Sequence, residues 1–124
     1  MIESLYEGNK LLEKSLNASW ARNDTIAQNI ANVDTSNYKR KDVVFEDYLK
    51  DSMGRTDLEG KNIDEIQPTV VQDNSNTSMR IDGNNVDIDS EMASLAKNTI
   101  RYNALVQLIN GNYSKIKNVI REGK

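Results

Sequence analysis

Cysteine and histidine are both missing from this 124-residue chain. Without them there is no Ser-His-Asp or Cys-His nucleophile, no disulfide or thiolate chemistry, and none of the usual zinc constellations. A thiol-free chain survives equally in a reducing or an oxidising compartment, so cysteine usage leaves the location open. Hydrophobic residues make up 37% of the chain and aromatic residues 6%, which limits it to a thin core. No window approaches the roughly 18 consecutive apolar residues of a membrane-spanning helix. The start, Met1-Ile2-Glu3-Ser4-Leu5, lacks the basic and apolar regions of a cleaved secretion signal, so any export is expected to proceed without one.

Charge of one sign is also lacking. Sixteen basic against nineteen acidic residues give a net charge of −3, which argues against nucleic acid or an anionic membrane as partner. Lys39-Arg40-Lys41 is the only basic run, and with no aromatic platform or second basic patch beside it, it reads as a solvated loop. Carboxylates are plentiful, but carboxylate catalysis needs a cleft that perturbs their pKa values, and a thin, Asn-rich helical chain offers little to build one. Neither an enzyme, nor a cofactor, nor a small-molecule substrate is expected.

What the chain does have is an apolar ladder at alternating spacings of three and four: Met92, Leu95, Thr99, Tyr102, Val106, Ile109, Tyr113, Ile116 and Ile120. That is a coiled-coil seam over four heptads, and a seam needs a partner helix. Its helix is expected to start at Asp89, whose carboxylate can cap free amides, and to end near Arg121. A weaker stripe of Leu5, Leu12, Leu16, Ile26 and Ile30 marks an N-terminal helix over residues 4–33, with Ser19 and Asn23 filling the intervening seam positions. Ser4 and Glu7 fit a capping box there, and Asp34-Thr35-Ser36-Asn37 ends the helix. Tyr6, Trp20, Tyr102 and Tyr113 read as packing residues rather than a ligand box.

The middle is rich in Asp, Asn, Gly, Ser and Thr and holds the one proline, Pro68. Residues 42–49 form an apolar patch fit for a strand or a single helical turn. Residues 69–72 and 78–81 read as the strands of a short hairpin, and residues 51–64 have little to bury. Asp82 to Asp89 strings oxygen ligands along a loop, but an EF-hand starting at Asp82 would need a ligand where Val86 stands and a glycine where Asp87 stands. A turn on Gly83 leading into a helix start fits better, and no metal is expected. The fold class is therefore mainly α: two long N- and C-terminal helices pairing as an antiparallel coiled coil, joined by a loop-rich middle segment with a short β-hairpin. The divisions are 1–37, 38–88 and 89–124.

Two stretches resemble a known family. Ile26-Ala27-Gln28-Asn29-Ile30-Ala31-Asn32-Val33-Asp34-Thr35-Ser36-Asn37-Tyr38-Lys39 resembles the N-terminal signature of bacterial flagellar rod and hook proteins, an Asn-Ile-Ala-Asn run followed by Thr-Pro-Gly-Tyr-Lys. Ser36-Asn37 replaces Pro-Gly, and because Asn tolerates the left-handed conformation, the turn is expected to survive. The segment from Asp82 to Ala93, continuing through Tyr102 to Gly123, is similar to the C-terminal region of the family's proximal rod proteins.

The resemblance implies a structural subunit of the proximal rod of the flagellar basal body, transmitting torque. It implies export through the flagellar type III apparatus without a cleaved signal, then periplasmic assembly with FliE, FlgC, further rod subunits and copies of itself. Asn29, Ile30, Ala31, Asn32, Thr35 and Tyr38 carry the family motif. The two apolar stripes, without Ser19, Asn23 and Thr99, are the expected assembly interface, pairing partly within the chain and partly between chains. The alternative reading is a small soluble helical-hairpin regulator or chaperone-like binding protein.

Overall fold

The computed structural model describes residues 2–45, 66–73 and 80–123, with side chains from residue 6 onward. Helix α1 spans Ile2–Ala31, strand β1 Lys41–Val44, strand β2 Thr69–Gln72 and helix α2 Ile88–Glu122. The helices lie antiparallel, and β1 packs along α1. Because α1 already runs from Ile2, Ser4 sits inside the helix and not at its cap. The cap of α2 is Asp87, two residues before the expected one: its carboxylate accepts from the Asp89 amide at 3.0 Å, and Asp89 and Glu91 occupy the first turn. There they favour the positive end of the helix dipole.

The middle segment does contain a two-stranded antiparallel pair, but its partners are far apart in sequence. Lys41 lies opposite Gln72 and Val44 opposite Thr69. Thr69–Gln72 is thus a strand as expected, and the first part of the apolar patch supplies its neighbour, while residues 78 and 79 of the other expected strand lie outside the described residues. Arg80 and Ile81 lie in a bend and a turn. Two strands alone are marginal, and β1 gains its support from α1, where Val43 and Phe45 are buried together with Ala18. Residues 46–65 and 74–79, which include the expected low-burial stretch 51–64, lie outside the described residues.

The helix pair is held by polar as much as apolar contacts. Along α2 the buried positions are Glu91, Asn98 and Ile109, with Leu105, Asn112 and Ile116 half-buried. The Asn98 amide donates to the Ser19 carbonyl and the Asn23 side chain, each at 2.7 Å. The Asn112 amide donates to Asn9 at 2.9 Å. Such bonds are satisfied in one alignment only, so they set the register of two helices that apolar contacts alone would let slide. The expected filling of the seam by Ser19 and Asn23 is what Asn98 reads.

This register divides the apolar ladder. Leu95, Tyr102, Val106 and Ile116 are half-buried and Ile109 is buried, facing half-buried Leu12, Leu16 and Ile30 and buried Ile26. Met92, Tyr113 and Ile120 stay exposed at 51%, 49% and 67%. The side chain of Leu5 lies outside the description. Tyr6 and Trp20 are also exposed, at 67% and 65%, so they and Tyr113 do not serve as packing within the chain.

Gly111 lies on the exposed side of α2, and a Cβ built there meets no atom within 4 Å. Glycine in a helix interior costs about 1 kcal/mol relative to alanine. Gly111→Ala is therefore expected to stabilise the isolated chain by about 0.5–1 kcal/mol, measured as a rise in the urea midpoint followed by helical circular dichroism.

Candidate functional site: the polar clasp at the helix handover

The residues singled out by the two family stretches lie about 50 positions apart in the chain and meet at one end of the helix pair. Asn29, on the last full turns of α1, is completely buried. Its amide donates to the Lys41 carbonyl at 2.8 Å and to Glu91 Oε2 at 3.2 Å, while its Oδ1 accepts from the Lys41 amide at 2.9 Å and the Tyr38 hydroxyl at 3.2 Å. The side-chain amide thus pairs with both backbone groups of one residue as a neighbouring strand would. In an antiparallel pair, alternate residues turn their backbone groups away from the partner. Lys41 does so here, toward Asn29, and the preceding Arg40 carbonyl accepts from the Asp73 amide at 2.8 Å beside β2.

Glu91, placed by the first turn of α2, is fully buried as well. Its Oε1 accepts from Arg40 Nε at 2.5 Å, and Arg40 also pairs with Asp42 at 3.3 Å. A carboxylate without water must be paired and hydrogen-bonded to remain charged, and Arg40 and Asn29 do both. Burial by itself would lower the pKa of the Arg40 guanidinium, but the hydrogen bond and charge of Glu91, with Asp42, outweigh it and hold the group above its ordinary value. Burial, and secondarily the charge of Glu91, push the Tyr38 hydroxyl up, so it stays protonated as a donor to Asn29.

Lys39-Arg40-Lys41 is accordingly no solvated loop. Lys39 donates to the Gly83 carbonyl at 2.7 Å, Arg40 neutralises a buried acid, and Lys41 begins β1. The pattern that distinguishes this run is its distance from any other basic patch together with an acid in the far motif, and charge composition alone carries no such pairing.

The remaining residues close the end of α1. Asn84, fully buried, shares its amide hydrogens among the carbonyls of Asn32, Val33 and Thr35, each at 2.9 Å, and its Oδ1 accepts from the Val86 amide at 2.8 Å. These carbonyls belong to the turn that leaves α1, where the helical ladder has ended, and a side chain from about 50 residues away supplies donors to all three. Asn85 accepts from the Arg40 amide at 2.6 Å. Asn37 takes the left-handed φ of 59° and donates its amide to the Asp82 carbonyl at 2.9 Å. Asparagine thus fills the place of the family's glycine in the manner expected. Opposite it, Gly83 has φ 79°, and a Cβ there would lie 2.6 Å from Asn37 Oδ1. Asp82 to Asp89 thus forms a turn on Gly83 that leads into the capped start of α2.

Of the other motif residues, Tyr38 enters the clasp directly, while Thr35 donates to Asn32 Oδ1 at 3.1 Å on the exposed rim. Ile30 is half-buried and Ala31 exposed. Glu91, Arg40, Asn84 and Asn85 are as central as the motif itself, and only the co-occurrence of the two stretches pointed toward them. With its acceptors and donors mutually satisfied, the arrangement holds the strand, the turn and the two helices in place.

Comparison with known proteins agrees with the motif reading. Residues 13–39 match the family model described as flagella basal body rod protein. Over 98% of its length the chain is 38% identical to the flagellar basal body rod protein FlgB of Bacillus subtilis, covering 99% of that protein. It is 29% identical to the protein of the same name from Aquifex aeolicus over 94% of its length, covering 95% of the relative. With that of Escherichia coli K12 it shares 28% identity over 99% of both chains.

Two sets of variants test the clasp. Arg40→Met leaves Glu91 as a buried charge without its guanidinium and is expected to cost about 3–5 kcal/mol in a urea unfolding measurement. Asn37→Gly is expected to be nearly neutral, whereas Asn37→Val forces a β-branched residue into the left-handed region and should cost about 1–2 kcal/mol.

Proposed function

The chain belongs to the family of flagellar basal body rod proteins, and we propose that it enters the rod through the apolar rows its own helix pairing leaves uncovered. It is a structural subunit of the flagellar basal body rod and not an enzyme. The observation that carries the assembly reading is the division of the ladder. Residues 92, 99, 106, 113 and 120 are spaced seven apart and form one row beside the seam, of which Met92, Tyr113 and Ile120 are exposed. An apolar row at heptad spacing is suited to receive a further helix, and the chain has no third long helix among its described residues.

The assembly interface is thus Leu5, Leu12, Leu16, Ile26 and Ile30 with the ladder from Met92 to Ile120, the inner members closing the pair and the outer members meeting neighbours. The partners are copies of this chain and other rod components, with FlgC and FliE as the adjoining subunits. The polar seam supports passage through the type III export apparatus without a cleaved signal, followed by assembly in the periplasm. A helix pair held by Asn and Ser side chains instead of a continuous apolar core separates at low cost, as a chain threaded unfolded through a narrow channel requires.

Ile120→Asp separates fold from assembly. The residue is exposed in the monomer, so urea stability is expected to change by no more than about 0.5 kcal/mol. In cells the same variant should be absent from isolated basal bodies and abolish swimming, because a charge would be buried in the intersubunit seam. Normal rods would remove the outer row from the interface. Ile109→Asp, by contrast, places the charge inside the helix pair and should lower monomer stability as well.

A further inference from the structure

The helix pair has two unlike broad faces. On one, Tyr6, Glu13, Trp20 and Ala27 form a heptad row along α1, all exposed, with exposed Asp24 beside it. The Tyr113 hydroxyl donates to Glu13 Oε1 at 2.6 Å, so this row lies on the same side as the outer ladder of α2. The other face carries β1 and Phe45 over α1, and there Arg101 and Leu105 of α2 border the cleft against Phe45 and Ala18. Along that flank of α2 run Lys97, Arg101, Leu108 and Lys115, and no acidic residue occurs between Glu91 and Glu122. Leu108 is 56% exposed.

Resting on the rod-subunit reading, we infer that the acidic aromatic row of α1 in one copy docks on the cationic flank of α2 in the next copy. Three observations on the surfaces select this occupant. The charges are complementary, with Glu13 and Asp24 on one row and Lys97, Arg101 and Lys115 on the other. The two rows match in length: Tyr6 to Ala27 and Lys97 to Lys115 each span about 30 Å at 1.5 Å per residue. The aromatic row presents the only tryptophan of the chain, of the type that anchors interfaces and stacks on cations. Opposite it falls Ala104, small and exposed on the same flank, which leaves room for that large ring.

The contact joins two different surfaces, so it repeats from copy to copy and generates a helical array, whereas contact of the aromatic face with itself would close into a dimer. When neighbouring copies point the same way, α1 of one runs antiparallel to α2 of the next. Ala27 then falls near Lys97.

The absence of cysteine makes the test clean. Chains carrying Ala27→Cys and Lys97→Cys are co-expressed in cells lacking the natural chain, and isolated basal bodies are treated with a short bis-maleimide. Dimers only where both variants are present is the expected result. Dimers from Ala27→Cys alone would show the self-facing arrangement and overturn the proposal. Basal bodies that contain both variants without a dimer would overturn it too. Absence of the unaltered chain from basal bodies would instead remove the rod-subunit reading beneath it. Trp20→Ala provides the independent measure: unchanged monomer stability with at least a tenfold loss of incorporation supports the contact, and normal incorporation argues against it.

Discussion

The pairing of the Asn29 side chain with both backbone groups of Lys41 is the constraint on which the rest of the structure depends. It converts the end of a helix into the edge of a sheet. Through it β1 is anchored to α1, and through the same amide α1 reaches Glu91 on α2. A hydrophobic contact at this point would be satisfied by many orientations, but a buried amide with four fixed partners has one. The two helices, the strand pair and the turn are therefore oriented by a single side chain whose replacement would strand a buried carboxylate and two backbone groups.

The same logic extends along the molecule. Among the described residues the buried apolar side chains are Ala18, Ile26, Val43, Phe45, Val86 and Ile109, while Asn9, Ser19, Thr25, Asn29, Asn84, Asn85, Glu91 and Asn98 are buried polar ones. Polar interiors contribute little net stability because each bond replaces one made to water. They impose alignment instead. For a subunit whose helices pair again with neighbours, that division is coherent: register comes from within the chain, and apolar burial is left for the assembly.

Much of this was legible in the residues themselves. The heptad ladder identified α2, the weaker stripe of leucine and isoleucine identified α1, and Asn37 was recognisable as a residue able to stand in a left-handed turn. Gly83 was legible as a turn. The strand at Thr69–Gln72 was also readable, but its partner was not, because strand pairing is decided by which backbone edge is presented, and β1 is presented by Asn29 rather than by a local loop. The basic run at 39–41 was misread for a related reason. Its counter-charge, Glu91, is 51 residues away, and local composition carries no information about a partner at that separation.

By itself, then, the sequence determined that the protein has two long helices, a thin core, no reactive centre and a place in the rod family, since periodicity, composition and contiguous motifs are local properties. Tertiary structure alone decided which members of the ladder face inward. Heptad spacing defines a stripe wide enough for two adjacent rows, and the choice between them rests on the alignment of Asn98 with Ser19 and Asn23 and of Asn112 with Asn9. Those contacts exist only once the chain has folded back on itself, and they are what leave Met92, Tyr113 and Ile120 outside.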